Sequence, residues 1–241
     1  LFLLVSAESR NVMLLALNSG LYFTVSYYLL DPQYHAWLGA FALVLALLHA
    51  GLAKTVWSTA PNNDRRFAQL SAVIALVLLT LAIPIQLAGF RVTMLWALEA
   101  AALAWMGARI AQPKIQIAAW FLFALVCFRL LASDARLLES GFFNLRLLTF
   151  AVSASSLWIA SRYALSDESR AVSYGTGHVL MLWALSMEVS GWARRTAEPQ
   201  DVSNIESTGI SILMAVYAVV LVVSGVGLRS SVNRILGLGL L

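Results

Sequence analysis

The apolar residues of this chain run on for ~20 positions at a time and stop at short polar breaks, and the alternating segments that a membrane-spanning barrel needs are absent. Lipid offers backbone amides no partner, so such runs are expected to be helices that satisfy their own hydrogen bonds. Read this way, the chain is an all-α polytopic transmembrane helical bundle of about eight full spans plus a partial one, at about residues 11–30, 34–57, 68–88, 91–109, 114–132, 146–163, 171–193 and 207–228, with 232–241 opening the next. Asp31-Pro32, the stretch Ala60-Pro61-Asn62-Asn63-Asp64, Gln112-Pro113 and Glu198-Pro199 are the expected turns, because proline lacks an amide proton and restricts the residue before it. Pro84 falls inside the third span, where it frees a carbonyl close to Gln86.

Composition agrees with that pattern. The 241 residues are 61% apolar and 12% charged, against about 45–50% and about 25% in soluble domains. No room is left for a sizeable water-soluble domain. The single cysteine, Cys127, sits in an apolar run, which excludes an intramolecular disulfide and a zinc site built on cysteines. No cofactor or metal is expected, and no nucleic acid, since the net charge of +4 is scattered over loops with no basic arm. His49 and His178 lie at similar depth but follow no haem-ligand spacing, and Gly175-Thr176-Gly177 lacks the remainder of a phosphate loop.

Lysine and arginine divide unevenly between the two sides. Arg10, Lys54, Arg65, Arg66, Arg109, Lys114, Arg162, Arg170, Arg229 and Arg234 fall on one side, and Arg91, Arg129, Arg136, Arg146, Arg194 and Arg195 on the other. The positive-inside rule makes the first side cytoplasmic. Residues 1–241 are expected to form one transmembrane domain that is an internal piece of a larger protein, since both ends lie in apolar runs. Residues 97–107 also overlay 215–225, which raises a helix-pair repeat of 91–132 and 207–241.

Acidic groups inside spans are costly unless paired or hydrated, so they mark the first places to look for function. Glu99 lies about eight residues, or ~12 Å, into the fourth span. Glu188 lies near the far end of the seventh, at the face where Arg129, Arg91 and Arg146 also sit. Two arrangements fit these five residues. They line an outward-facing polar cavity with Arg91 and Arg146 at its mouth, or they form an internal ion-pair lock between helices. Asn144 is placed to cap the sixth span, and the connection from Ser133 to Asn144 is expected to lie along the interface, with a short helix capped by Ser133 or Asp134. The first span is rich in Tyr22, Tyr27, Tyr28, Thr24 and Ser26 and is expected to be shielded by protein or to face a cavity.

Ala82-Ile83-Pro84-Ile85-Gln86-Leu87-Ala88-Gly89, then Thr93, Trp96-Ala97-Leu98-Glu99-Ala100 and Trp105-Met106-Gly107-Ala108-Arg109, followed by Arg129-Leu130-Leu131, Asp134, Phe143-Asn144-Leu145-Arg146-Leu147-Leu148-Thr149 and Leu185-Ser186-Met187-Glu188, form an ordered set. The set resembles domain of unknown function two-three-three-nine, found in large predicted bacterial membrane proteins. That resemblance implies a multispan membrane protein and carries over no catalytic residue. The functional readings are transport or flipping of a polar or lipid-linked envelope substrate, a non-catalytic membrane scaffold, and, less favoured, a membrane-embedded transferase using an intramembrane glutamate. Membrane lipids and such a polar or lipid-linked small molecule are the expected partners.

Overall fold

The computed structural model describes residues 9–59, 66–136, 144–227 and 229–240, and these are helical almost throughout. The chain divides into two compact units, Leu1–Ala88 and Gly89–Leu241. The first unit holds α1 (Ser9–Tyr34), α2 (Leu38–Thr59) and α3 (Arg66–Gln86). Its core is the α2–α3 pair. Gly39, Ala42 and Ala46 of α2 are buried, as are Ser71, Ala75 and Ala82 of α3, so small residues at four-residue spacing let the two backbones approach. Gln86 closes this pair by donating its amide to the carbonyl of Ala36 at 3.1 Å and leaves no space for a side chain at Gly39.

The sequence places a turn at Asp31-Pro32, but α1 continues through both residues to Tyr34. A three-residue 3-10 turn, His35–Trp37, then leads directly into α2. Asp31 Oδ1 accepts from His35 Nδ1 at 2.7 Å across one helical turn, which ties the chain over the proline. Tyr22 and Tyr28 are exposed, so protein does not shield that face of α1 within the unit. Phe23 instead stacks on Phe41 of α2.

The second unit comprises α4 (Phe90–Ile110), α5 (Pro113–Ala132), α6 (Leu145–Ser161), α7 (Asp167–Thr196), α8 (Val202–Gly227) and α9 (Ser231–Leu240). α4 and α5 form a hairpin over Ala111-Gln112, with Ala111 left-handed and the Gln112 amide returning to the Gly107 carbonyl at 3.0 Å. Proline then opens α5, where its missing amide costs nothing. α6 is packed against α4 and α7, and α8 pairs with α7 and α9. Gln116, near the start of α5, donates to the carbonyls of Ala104 in α4 and Tyr163 just beyond α6, both at 2.8 Å. The beginning of α5 is therefore level with the end of α6, which sets α4 and α6 parallel with their N-termini at one end. Ser166 caps α7 by accepting from the Ser169 amide, Asp167 and Glu168 follow in the first turn, and Arg194 and Arg195 occupy the last, as the helix dipole favours.

Among the described residues, four helical stretches are long and apolar enough to cross a membrane: Met13–Thr59, Arg66–Gln86, Pro113–Ala132 and Val202–Gly227. This corrects the expectation of eight full spans. The first two expected spans lie within one apolar stretch that is divided at His35–Trp37 into α1 and α2, and Leu145–Ser161 is apolar but short. The remaining two are less apolar: α4 contains Arg91, Glu99 and Arg109, and α7 carries acidic and basic residues at its ends together with His178 and Glu188.

Gly177 of α7 faces Trp158 of α6 so closely that a Cβ there would stand 2.5 Å from the indole Nε1 and 3.1 Å from the Ala154 carbonyl. Gly177→Ala is expected to destabilise the unit by about 1–3 kcal/mol through overpacking of the α6–α7 contact. Thermal unfolding in detergent, followed by circular dichroism, measures it.

Candidate functional site

Two polar clusters occupy the end of the second unit where α4 and α6 begin and α5 and α7 finish. The first is built on Asn144, which lies immediately before α6. Its side-chain oxygen accepts from the Leu147 amide at 2.8 Å and caps the helix, as expected from its place ahead of an apolar run. That bond orients the amide group so that Nδ2 faces outward from the cap, and it donates to both carboxylate oxygens of Glu188 at 2.9 Å. Arg146, two residues along, completes the arrangement through Nη2 to Glu188 Oε1 at 2.8 Å. The side chains of Arg146 and Glu188 are only 8% and 1% exposed. Burial removes both from solvent, and each charge is compensated by the other and by a neutral donor that shares the carboxylate.

The second cluster centres on Thr93 in the first turn of α4. Arg129, near the end of α5, donates through Nε to the Thr93 hydroxyl at 3.0 Å and through Nη2 to the Gly89 carbonyl at 3.2 Å. The hydroxyl in turn donates to Asp134 Oδ2, and Ser133 donates to Asp134 Oδ1 at 3.2 Å. Thr93 and Asp134 are fully buried. A hydroxyl has one proton to give and lone pairs to receive, so Thr93 relays between guanidinium and carboxylate. Gly89 is left-handed (φ 62°), and its carbonyl is thereby presented to Arg129 at the entrance of α4.

The five residues singled out by the sequence are thus distributed as follows. Glu188 and Arg146 are brought together directly. Arg129 is engaged by Thr93 and Gly89, Arg91 is exposed at the start of α4, and Glu99 is half-buried two turns further into that helix. Arg146 lies in the interior, away from the mouth position considered for it. Asp134 turns inward to Thr93 from a short 3-10 turn, Asp134–Arg136, and the rest of the expected interfacial connection, residues 137–143, lies outside the described residues. Sequence reasoning did not assign Thr93 or Asp134 a place in the site. The available signal was an acid two residues past the end of a helix whose last turn carries an arginine.

On α7, one helical stretch back from Glu188, His178 Nδ1 lies 2.8 Å from the Tyr217 hydroxyl of α8, with the rings of Trp158 and Tyr174 packed around it. The aromatic and hydroxyl groups there join α6, α7 and α8. No family model matches the chain, and no curated protein and no solved structure matches it either.

Removing one member of the first cluster strands the other in a site that water does not reach. Glu188→Leu alone is expected to cost about 3–5 kcal/mol, whereas Arg146→Met combined with Glu188→Leu is expected to recover most of that loss. A double-mutant cycle on unfolding free energy checks the difference, and full additivity would refute direct coupling.

Proposed function

We propose that this chain is a multi-pass helical module of a bacterial inner membrane whose polar interior holds helices in register and performs no chemistry. The single observation carrying this reading is the closed Arg146–Glu188–Asn144 set, in which the groups best suited to meet a ligand are consumed by one another. The distribution of polarity supports the membrane setting. Exposed positions include Ile117, Phe121 and Phe128 on α5 and Val216, Val220 and Val223 on α8. Buried ones include Thr93, Gln116, Thr149, Ser153, Ser156 and Ser173. Water as solvent favours the opposite arrangement, while lipid favours this one. Trp37, Trp57 and Trp192 are exposed near helix ends, where amphipathic rings suit the head-group region.

On the same reading, α4, α6 and α7 share the bilayer with the four apolar stretches. Their outer faces carry Leu98 and Trp105, Leu148 and Ile159, and Val172 and Val179, and their charges lie inside or at the ends. A charge lowers the mean hydropathy of such a helix equally whether it is paired in the interior or faces lipid. Membership of domain of unknown function two-three-three-nine is part of this proposal and rests on the order of the motifs.

The second reading is transport or flipping of a polar or lipid-linked substrate. Glu99, half-buried along α4, and the gathering of both clusters at one end favour it. Polyprenyl phosphate is a suitable probe. The scaffold reading expects an identical thermal shift, or none, for the native chain and for the Arg146→Met, Glu188→Leu double variant. A stabilisation by polyprenyl phosphate that vanishes in the double variant would instead establish a head-group site.

A further inference from the structure

Two non-glycine residues among those described have left-handed backbone, Ala111 (φ 52°) and Arg229 (φ 53°). They are 118 residues apart, and so are Gly107 and Gly225. The same offset relates the hydrogen bonds around them. Gln112 N donates to Gly107 O at 3.0 Å and Ser230 N to Gly225 O at 2.9 Å. Ala111 N reaches Ala108 O, and Arg229 N reaches Val226 O, both at 3.3 Å. Each glycine is closed off by the equivalent residue of the next helix: a Cβ at Gly107 would stand 3.1 Å from the Gln116 nitrogen, and one at Gly225 would stand 2.9 Å from the Arg234 nitrogen. Burial follows the same register, with Ala100 and Ala218 enclosed, Leu103 and Leu221 buried, and Leu98 and Val216 exposed.

The two hairpins part company on one flank. Ala101 is 8% exposed, whereas its counterpart Val219 is 55% exposed. Ala104 is enclosed and Ala108 half-buried, while Val222 is half-buried and Val226 exposed. α4 has two principal neighbours, α5 and α6, and Gln116 seals the contact by holding the carbonyl of Tyr163 at the end of α6. α8 has α9 as its hairpin partner, and it meets α7 on a different flank, where Gly209 abuts Val189 and Tyr217 meets His178.

We propose that α8–α9 is a second copy of the α4–α5 hairpin and that its Val219–Val226 flank, with Arg234 at the turn, is a docking surface for one more membrane helix of the α6 kind. Arg234 stands in the place of Gln116, and a guanidinium there receives the C-terminal carbonyls of that helix at the end where the helix dipole favours a cation. Valine in place of alanine holds the docked helix farther from α8 than α6 lies from α4. The α6 contact in the first copy identifies the occupant: a helix with small and hydroxyl-bearing residues on its inner face, as Thr149, Ser153 and Ser156 are buried on α6. This inference rests on the membrane reading and is independent of whether the charged clusters bind a ligand.

The test uses the full chain with Cys127→Ser, reconstituted in phosphatidylcholine vesicles, with nitroxides at Val219→Cys or Val226→Cys and, as controls away from that flank, at Val220→Cys or Phe121→Cys. A peptide of residues 147–163 serves as the probe helix, and the blue shift of its Trp158 in vesicles without the chain verifies insertion. With the peptide present, access of lipid-dissolved oxygen is expected to fall several-fold at positions 219 and 226 and to stay unchanged at 220 and 121. Arg234→Leu is expected to weaken that protection and Arg234→Gln to keep it. Oxygen reaching positions 219 and 226 as freely as the controls, with inserted peptide in excess, overturns the docking surface and leaves lipid as its cover. Protection that ignores Arg234→Leu overturns the role of the arginine. Controls shielded from oxygen without peptide overturn the membrane reading itself.

Discussion

A carboxylate with almost no exposed surface is costly to enclose unless donors meet it, and Glu188 obtains them from Arg146 and from the amide of Asn144. The geometry demands that three pieces of chain arrive together. α7 must place Glu188, eight positions before its last residue, beside the first turn of α6, and the connection before α6 must stop at Asn144 to cap it. A one-residue slip in either helix turns one partner by about 100° away from the other. The pair therefore specifies register more than it adds stability, which is the use for which buried ion pairs are best suited.

The second cluster repeats the logic with a neutral relay. Arg129 and Asp134 belong to the same end of α5, and Thr93 is inserted between them from α4, so the hydroxyl connects the two helices of the hairpin at its open end while Gly107 and Gln116 close the other. α4 is thus held at both ends against α5, and α6 against α4 through Gln116 and against α7 through Glu188. Between these polar points, buried alanine, serine and glycine are interleaved with larger side chains such as Val126, Leu130, Phe150 and Leu157. Small side chains bring backbones close in a solvent that gives no hydrophobic reward for association, and hydrogen bonds then select among the registers that close packing permits.

The contrast between hydropathy and position in the fold has the same origin. α8 and α5 read as strongly apolar and expose large side chains, whereas α6, the helix enclosed on most sides, is short and carries an arginine, serines and threonines. Hydropathy reports what a helix presents to lipid. It scores poorly the helices that present most of themselves to protein.

Long apolar runs determined helices, prolines and polar clusters determined most of their ends, and the small-residue rows determined where helices approach, because each of these depends on neighbours within a turn or two of chain. Asn144 as a cap was legible for that reason. The partner of each charge was not. Arg146 and Glu188 are 42 residues apart, Thr93 and Asp134 are 41 apart, and nothing local distinguishes an arginine that closes on a glutamate from one that waits at a cavity mouth. The repeat stood between these cases. Its apolar letters match too cheaply to convince, and only the coincident left-handed residues and carbonyl contacts, which arise from backbone geometry, bring the two hairpins into register.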